Sequence, residues 1–337
     1  MKIPPFPIEQ PFPLAQVGSW PASVHLFDED SAAAIEAALA AERPLLVRGE
    51  PGTGKSQLAR AAAQHLGRVF VTEVVHARSE SQDLQWNFDA VARLGEAQAL
   101  GAASCSESEI AGRLDPRRFL APGALWWVFD WQGAAAQYER CLHNHRRPIV
   151  PAGWLPEKGA VLLIDEIDKA DADLPNGLLE TLGNGSFSVP YLDEAVRLPA
   201  AGPPPLVVIT TNEERELPAA FLRRCLVLHL HLPDDDPEKR KLPEEEKKLA
   251  VVDWLMVRGR HHFKGQCGEA VLREAAEQLY LDRKKAREQR GAAPGQAEYL
   301  DLLRALAHLA PADEGGQMTR LQRIKKFVLN KSAGVME

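Results

Sequence analysis

Gly49-Glu50-Pro51-Gly52-Thr53-Gly54-Lys55-Ser56 follows the apolar run Pro44-Leu45-Leu46-Val47-Arg48 and opens a stretch with helical patterning from Lys55 to about Leu66. The octet satisfies every fixed position of G-x-x-x-x-G-K-[ST], between an expected strand and an expected helix. Glycines let the backbone curl with its N–H groups pointing inward, at dihedral angles that other residues resist. The helix that starts at the loop's end adds partial positive charge, which suits an anion. Lys55 is placed for the β- and γ-phosphates of a nucleoside triphosphate, and the Ser56 hydroxyl for Mg²⁺. The candidate nucleotide-binding set is therefore Gly49, Glu50, Pro51, Gly52, Thr53, Gly54, Lys55, Ser56 and Gln57.

A second apolar run, Val161-Leu162-Leu163-Ile164, ends in Asp165-Glu166. A doubly wound sheet binds ligands at the carboxyl ends of its strands, so this reading sets both acids beside the phosphate loop. Asp165 is the candidate for the Mg²⁺ shell, and Glu166 the candidate base that orients and activates water. Ile209-Thr210-Thr211-Asn212 repeats the design, a buried strand ending in an amide that suits the γ-phosphate or the lytic water. Arg223 and Arg224 close a short helix near Pro218–Leu222. Either is an arginine finger acting on a neighbouring subunit's site, or both complement the helix dipole.

Around these landmarks the chain falls into three parts. Residues 1–30 carry Pro4, Pro5, Pro7, Pro11 and Pro13 and read as an extended, proline-rich arm, with Ser31 as the N-cap of the first helix. Residues 31–232 alternate strand and helix signals, with strands expected at 44–48, 69–75, 159–164, 206–210 and 226–230, which implies a parallel α/β sheet. Asn184-Gly185 is a turn signal, and Phe187–Tyr191 with Ala195–Leu198 read as hairpin arms. The stretch 81–154 is hard to decipher apart from alanine-rich helical pieces and the cluster Trp126, Trp127, Phe129 and Trp131, expected to pack against the sheet. Residues 233–337 begin with charge clusters and have helical periodicity without a strand, so a small all-helical lid is expected there.

Composition narrows the class. Hydrophobic residues are 45% and charged residues 26% of the 337, an ordinary soluble balance, and the net charge of −7 gives no general attraction to nucleic acid. Cys105, Cys141, Cys225 and Cys267 are scattered, a pattern of reduced thiols that is neither a zinc site nor a disulfide framework. Met1 to Pro13 lacks the basic and apolar regions of a signal peptide, and no apolar run approaches the ~18 residues of a membrane helix. A soluble, cytoplasmic protein is expected.

The order of parts resembles an AAA+ ATPase: phosphate loop, Asp165-Glu166, Asn212, Arg223-Arg224, then a helical domain. Val161-Leu162-Leu163-Ile164-Asp165-Glu166-Ile167-Asp168-Lys169-Ala170 and Thr210-Thr211-Asn212-Glu213 are most similar to the MoxR-like branch, close to the dynein-related group. The resemblance spans roughly residues 30–310. It implies ATP and Mg²⁺ as ligands, Asn212 as sensor 1, Arg224 as the better match to the arginine finger, and His76 at a place where the family often holds the catalytic glutamate inactive. It also implies a homo-oligomer, a hexameric ring with ATP between subunits, acting on a protein client such as a von Willebrand factor A domain protein. One departure is that Pro294–Leu300 has no arginine where the family places sensor 2, and Arg290 lies outside that place.

Basic residues at Arg283, Lys284, Lys285, Arg287 and Arg290, and from Arg320 to Lys331, read as solvated helix faces or as a nucleic-acid surface. Two functions follow: a ring-forming remodeller of proteins, or the motor of a nucleic-acid-targeting restriction or phage-defence complex. A small-molecule kinase would leave Asn212 and the two arginines without a task.

Overall fold

The structure, a computed structural model, describes residues 3–101, 106–142, 147–199, 202–237, 241–289 and 291–328. Cys105, His143, His145, Arg290 and Lys331 lie outside the described residues. In chain order come strands β1 (Pro11–Leu14) and β2 (Ser23–Leu26), helix α1 (Glu29–Ala41), β3 (Leu45–Arg48), α2 (Lys55–His65) and β4 (Val69–Val74). The stretch that resisted reading holds β5 (Trp86–Phe88), α3 (Ala90–Gly101), α4 (Glu107–Arg113), β6 (Leu120–Pro122), α5 (Ala124–Phe129) and α6 (Trp131–Arg140). Next are β7 (Ala160–Asp165), α7 (Asp173–Asn184), β8 (Ser186–Phe187), β9 (Val196–Arg197), β10 (Leu206–Thr211), α8 (Ala219–Leu222) and β11 (Leu226–His229). Four helices follow: α9 (Glu244–His262), α10 (Glu269–Glu288), α11 (Gln296–Leu309) and α12 (Glu314–Val328).

The central sheet is parallel and five-stranded, in the order β11-β3-β10-β7-β4. Helices on both faces of a parallel sheet bury its inner strands, which is why β3, β10 and β7 read as continuous apolar runs, while the edge strands β4 and β11 stay partly exposed. Ala160 to Ile164 and Leu206 to Thr211 are all buried. The register pairs Ile209 with Ile164 and Val74 with Asp165, so the polar ends of β7 and β10 emerge side by side. Trp126, Trp127 and Phe129 of α5 are buried in the core that contains Leu46, Val71, Leu162 and Ile209. The aromatic cluster thus packs on the sheet.

The chain divides into two compact units. One comprises Met1–Phe6, Glu29–Val47 and Ala59–Leu228 and holds the sheet core. The other comprises Pro7–Asp28, Arg48–Leu58 and His229–Glu337, and its core is built by Val251, Leu255, Leu279, Tyr299, Leu302 and Leu306 of the helices. Burial raises the pKa of the Cys225 and Cys267 thiols to about 11, which keeps them protonated. Among the described residues no helix is long and apolar enough to cross a membrane.

One local expectation changes and two are sharpened. Ser31 does not cap the first helix; α1 starts at Glu29, whose carboxylate with that of Asp30 suits the N-terminal dipole, and Ser31 is buried within it. The turn signalled at Asn184-Gly185 is the end of α7, where Gly185 takes the left-handed conformation (φ 59°). The hairpin after it pairs only Ser186–Phe187 with Val196–Arg197. The proline-rich arm folds back on itself, because β1 and β2 pair antiparallel from Pro11↔Leu26 to Leu14↔Ser23. A two-stranded ribbon consists of edges, where proline is tolerated, and burial of Leu14 and Phe27 holds it in place.

Candidate active site

The glycine loop joins β3 to α2. Gly49, Gly52 and Gly54 have φ of 147°, 78° and 96°, all in the region that favours glycine. Space is a second constraint. A Cβ on Gly49 would lie 2.1 Å from Leu230 O, and one on Gly52 would lie 2.7 Å from Ala297 Cβ at the start of α11. Thr53 Oγ1 donates to Glu50 O at 2.9 Å. Lys55 is buried, and its Nζ donates to Gly49 O (2.7 Å) and Glu50 O (2.9 Å). The ammonium group therefore lies over the loop it would serve. Ser56 is the second residue of α2, and Gln57 Nε2 donates to Ser23 Oγ of β2 at 3.3 Å.

The acid pair leaves the carboxyl end of β7. Asp165 is its last residue, and Glu166 follows in a left-handed conformation (φ 61°, ψ 48°) that is uncommon outside glycine and asparagine. A residue to which the sequence assigned no role of its own fixes both. Thr210 Oγ1, on the neighbouring strand, donates to Asp165 Oδ1 at 2.5 Å and accepts from Glu166 N at 2.9 Å. The Glu166 carboxylate takes a hydrogen bond from Lys169 Nζ at 2.5 Å on Oε2, and a long one from Asn212 Nδ2 at 3.4 Å on Oε1. The Glu166 hydrogen bond, opposed by some desolvation, raises the Lys169 pKa and keeps it charged. Asp168, also buried, holds the loop after β10 by accepting from Asn212 N (3.4 Å) and Glu214 N (2.9 Å). The signal for Thr210 was present as a hydroxyl ending an apolar run, but its partners lie on another strand.

Asp165, Glu166 and Asn212 thus come together, with Thr210, Asp168 and Lys169 around them. Among the described residues His76 makes no hydrogen bond to Glu166; its Nδ1 accepts from Arg78 N at 3.2 Å within its own turn. Arg223 and Arg224 are exposed, and their carbonyls are held by the Arg43 guanidinium, at 3.0 Å from Nε to Arg224 O and through Nη2 to Arg223 O. Serine hydroxyl and aspartate carboxylate are the hard oxygen donors that Mg²⁺ prefers, so Ser56 and Asp165 fit that ion in kind.

A parallel sheet with a glycine loop after one strand and paired acids after another defines the P-loop nucleoside triphosphatase class, and helical segments follow it in the chain. Residues 44–225 match the AAA domain of the dynein-related subfamily, and the chain belongs to that family. Among solved structures it is similar to two mutants of Thermotoga maritima RuvB. One is 13% identical, with 88% of this chain and 68% of that chain covered and a TM-score of 0.43; the other is also 13% identical, with 89% and 75% covered and a TM-score of 0.38. A Cytophaga hutchinsonii protein described as an ATPase is 14% identical, with 89% and 80% covered and a TM-score of 0.36. No curated protein matches the chain.

Proposed function

We propose that this chain hydrolyses ATP with Mg²⁺, assembles as a ring of like subunits, hexameric by its resemblance to the MoxR-like branch, and remodels a protein partner. The observation that carries the catalytic part is the Thr210 clamp, which fixes Asp165 and Glu166 together at the end of β7. In this reading Gly49 to Gln57 hold the triphosphate through backbone amides and Lys55. Ser56 and Asp165 would hold Mg²⁺, which when bound offsets the charge of the β- and γ-phosphates. Glu166 orients and deprotonates water, and Asn212 steadies its carboxylate. Lys169 must release Oε2 first, because an oxygen occupied by the ammonium group is not open to the water it would activate. Arg224, with Arg223 beside it, serves the site of an adjacent subunit.

A protein client fits better than nucleic acid. Of the cations on α10, Arg283 and Arg287 are paired with Asp234 and Asp235, and Lys284 with Glu244, so much of that charge is already compensated. A partner carrying a von Willebrand factor A domain is the first candidate, by the same resemblance. Glu166→Gln tests the catalytic reading: ATP binding is retained and steady-state turnover falls by at least about 100-fold. Turnover that persists in this variant removes Glu166 as the base.

A further inference from the structure

Glu50, the second residue of the glycine loop, directs its carboxylate at helix α10. Arg283 Nη2 lies 2.6 Å from Glu50 Oε2, and Arg287 Nη2 lies 3.6 Å from Oε1. The same two arginines grip the turn after β11. Arg283 Nε and Arg287 Nη1 donate to Asp234 Oδ2 at 2.9 and 2.8 Å, and Asp235 Oδ2 accepts from both guanidinium groups. Arg283 Nη1 also donates to Pro294 O at 3.0 Å, two residues before α11 begins. Arg283 is fully buried. Burial pulls its pKa down, but Asp234, Glu50 and Asp235 together outweigh that and hold it above the ordinary arginine value.

This cluster joins four pieces of chain: the glycine loop, the turn at 234–235, helix α10 and the entry to α11. A buried guanidinium deprived of one carboxylate is costly, so the contacts form and break together, not one by one. Glu50 itself presents a puzzle. A negative charge inside a loop that binds a polyanion opposes binding by Coulomb's law, so any benefit it brings must come through position.

We infer that Glu50, Arg283 and Arg287 are positioning residues that couple the loop's grip on a nucleoside triphosphate to helix α10. The anchored carboxylate sets the course of the loop backbone, and a displacement of α10 reaches the loop amides through it. This deepens the reading of Gly49–Ser56 as a triphosphate site and rests on it.

The test uses the full chain with a fluorescent ATP analogue. Glu50→Gln is expected to bind it about tenfold more weakly, within the usual range of coupling between two sites, although the substitution removes a negative charge beside the phosphates. Reciprocity supplies a second readout: nucleotide slows backbone hydrogen exchange in α10 of the wild type and loses that effect in Glu50→Gln. Equal or tighter binding by folded Glu50→Gln overturns the coupling. If that variant does not fold, Arg287→Gln, at the half-exposed rim, must show both losses in its place, and unchanged affinity there overturns the coupling equally. A wild type that ignores nucleotide brings down the reading of the loop, a different result from a wild type that binds beside an unaffected variant.

Discussion

A catalytic carboxylate needs its backbone fixed before its side chain can be aimed, and at Glu166 the fixing is done by Thr210. The left-handed conformation of Glu166 costs on the order of 1–3 kcal/mol and persists only where surrounding contacts hold it. One hydroxyl that accepts from Glu166 N and donates to Asp165 is such a contact. Thr210→Val keeps the side-chain outline and deletes the hydroxyl, leaving two groups without that partner. It should lower unfolding free energy by about 1–3 kcal/mol in denaturant titrations and reduce turnover more than ATP affinity. Retention of full turnover would show that the clamp is structural only. The glycine loop and the acid pair were legible because their chemistry demands particular residue types at fixed local spacing. Thr210 and Lys169 were not. The first acts across a strand register, and the second was one more cation until the 3-10 turn Ile167–Lys169 brought it back to Glu166.

At the scale of elements, the apolar runs announced all five sheet strands; in the inner strands β3, β10 and β7 burial on both faces leaves no room for alternation. Boundaries followed other forces. Gly185 signalled a turn, and its preference for positive φ is used to end helix α7. The β1–β2 pair was obscured by prolines that an edge tolerates. Two histidines give this part of the molecule a pH signature. His25 on β2 is half-buried, with its Nε2 enclosed and unpartnered among the described residues, and its pKa is lowered to about 4, chiefly by desolvation, with Arg258 and His262 lowering it further and Asp28 opposing. His262, at the end of α9, is lowered to about 4 by burial and by Arg304, Arg258 and His261. Both rings bind protons more readily unfolded, at the ordinary value of 6.5, than folded. Their contribution to stability is therefore complete above pH 6.5 and is lost as the pH falls toward 4. Between those limits unfolding should take up about two protons from this pair. The slope of unfolding free energy against pH measures that uptake, and His25→Phe should reduce it by about one proton; an unchanged slope would contradict the assignment.

At the scale of the whole molecule, each site in the proposed ring of like subunits draws on two of them. Arg224→Ala and Glu166→Gln are each expected to be inactive alone. A mixture reassembled from both should regain ATP hydrolysis, since an intact Glu166 in one subunit then meets an intact Arg224 from the next. Strictly silent mixtures, at concentrations where the ring forms, would argue that each chain completes its own site.

The contact between Gly52 and Ala297 binds two distant positions to a common fate. With 2.7 Å between the Ala297 methyl and the place of any Cβ at Gly52, neither residue can grow unless the other yields. A bulkier side chain at 297 is therefore a lesion of the nucleotide loop, inflicted from far along the chain, and random mutagenesis should recover such changes as nucleotide-blind variants that no inspection of the loop itself would explain.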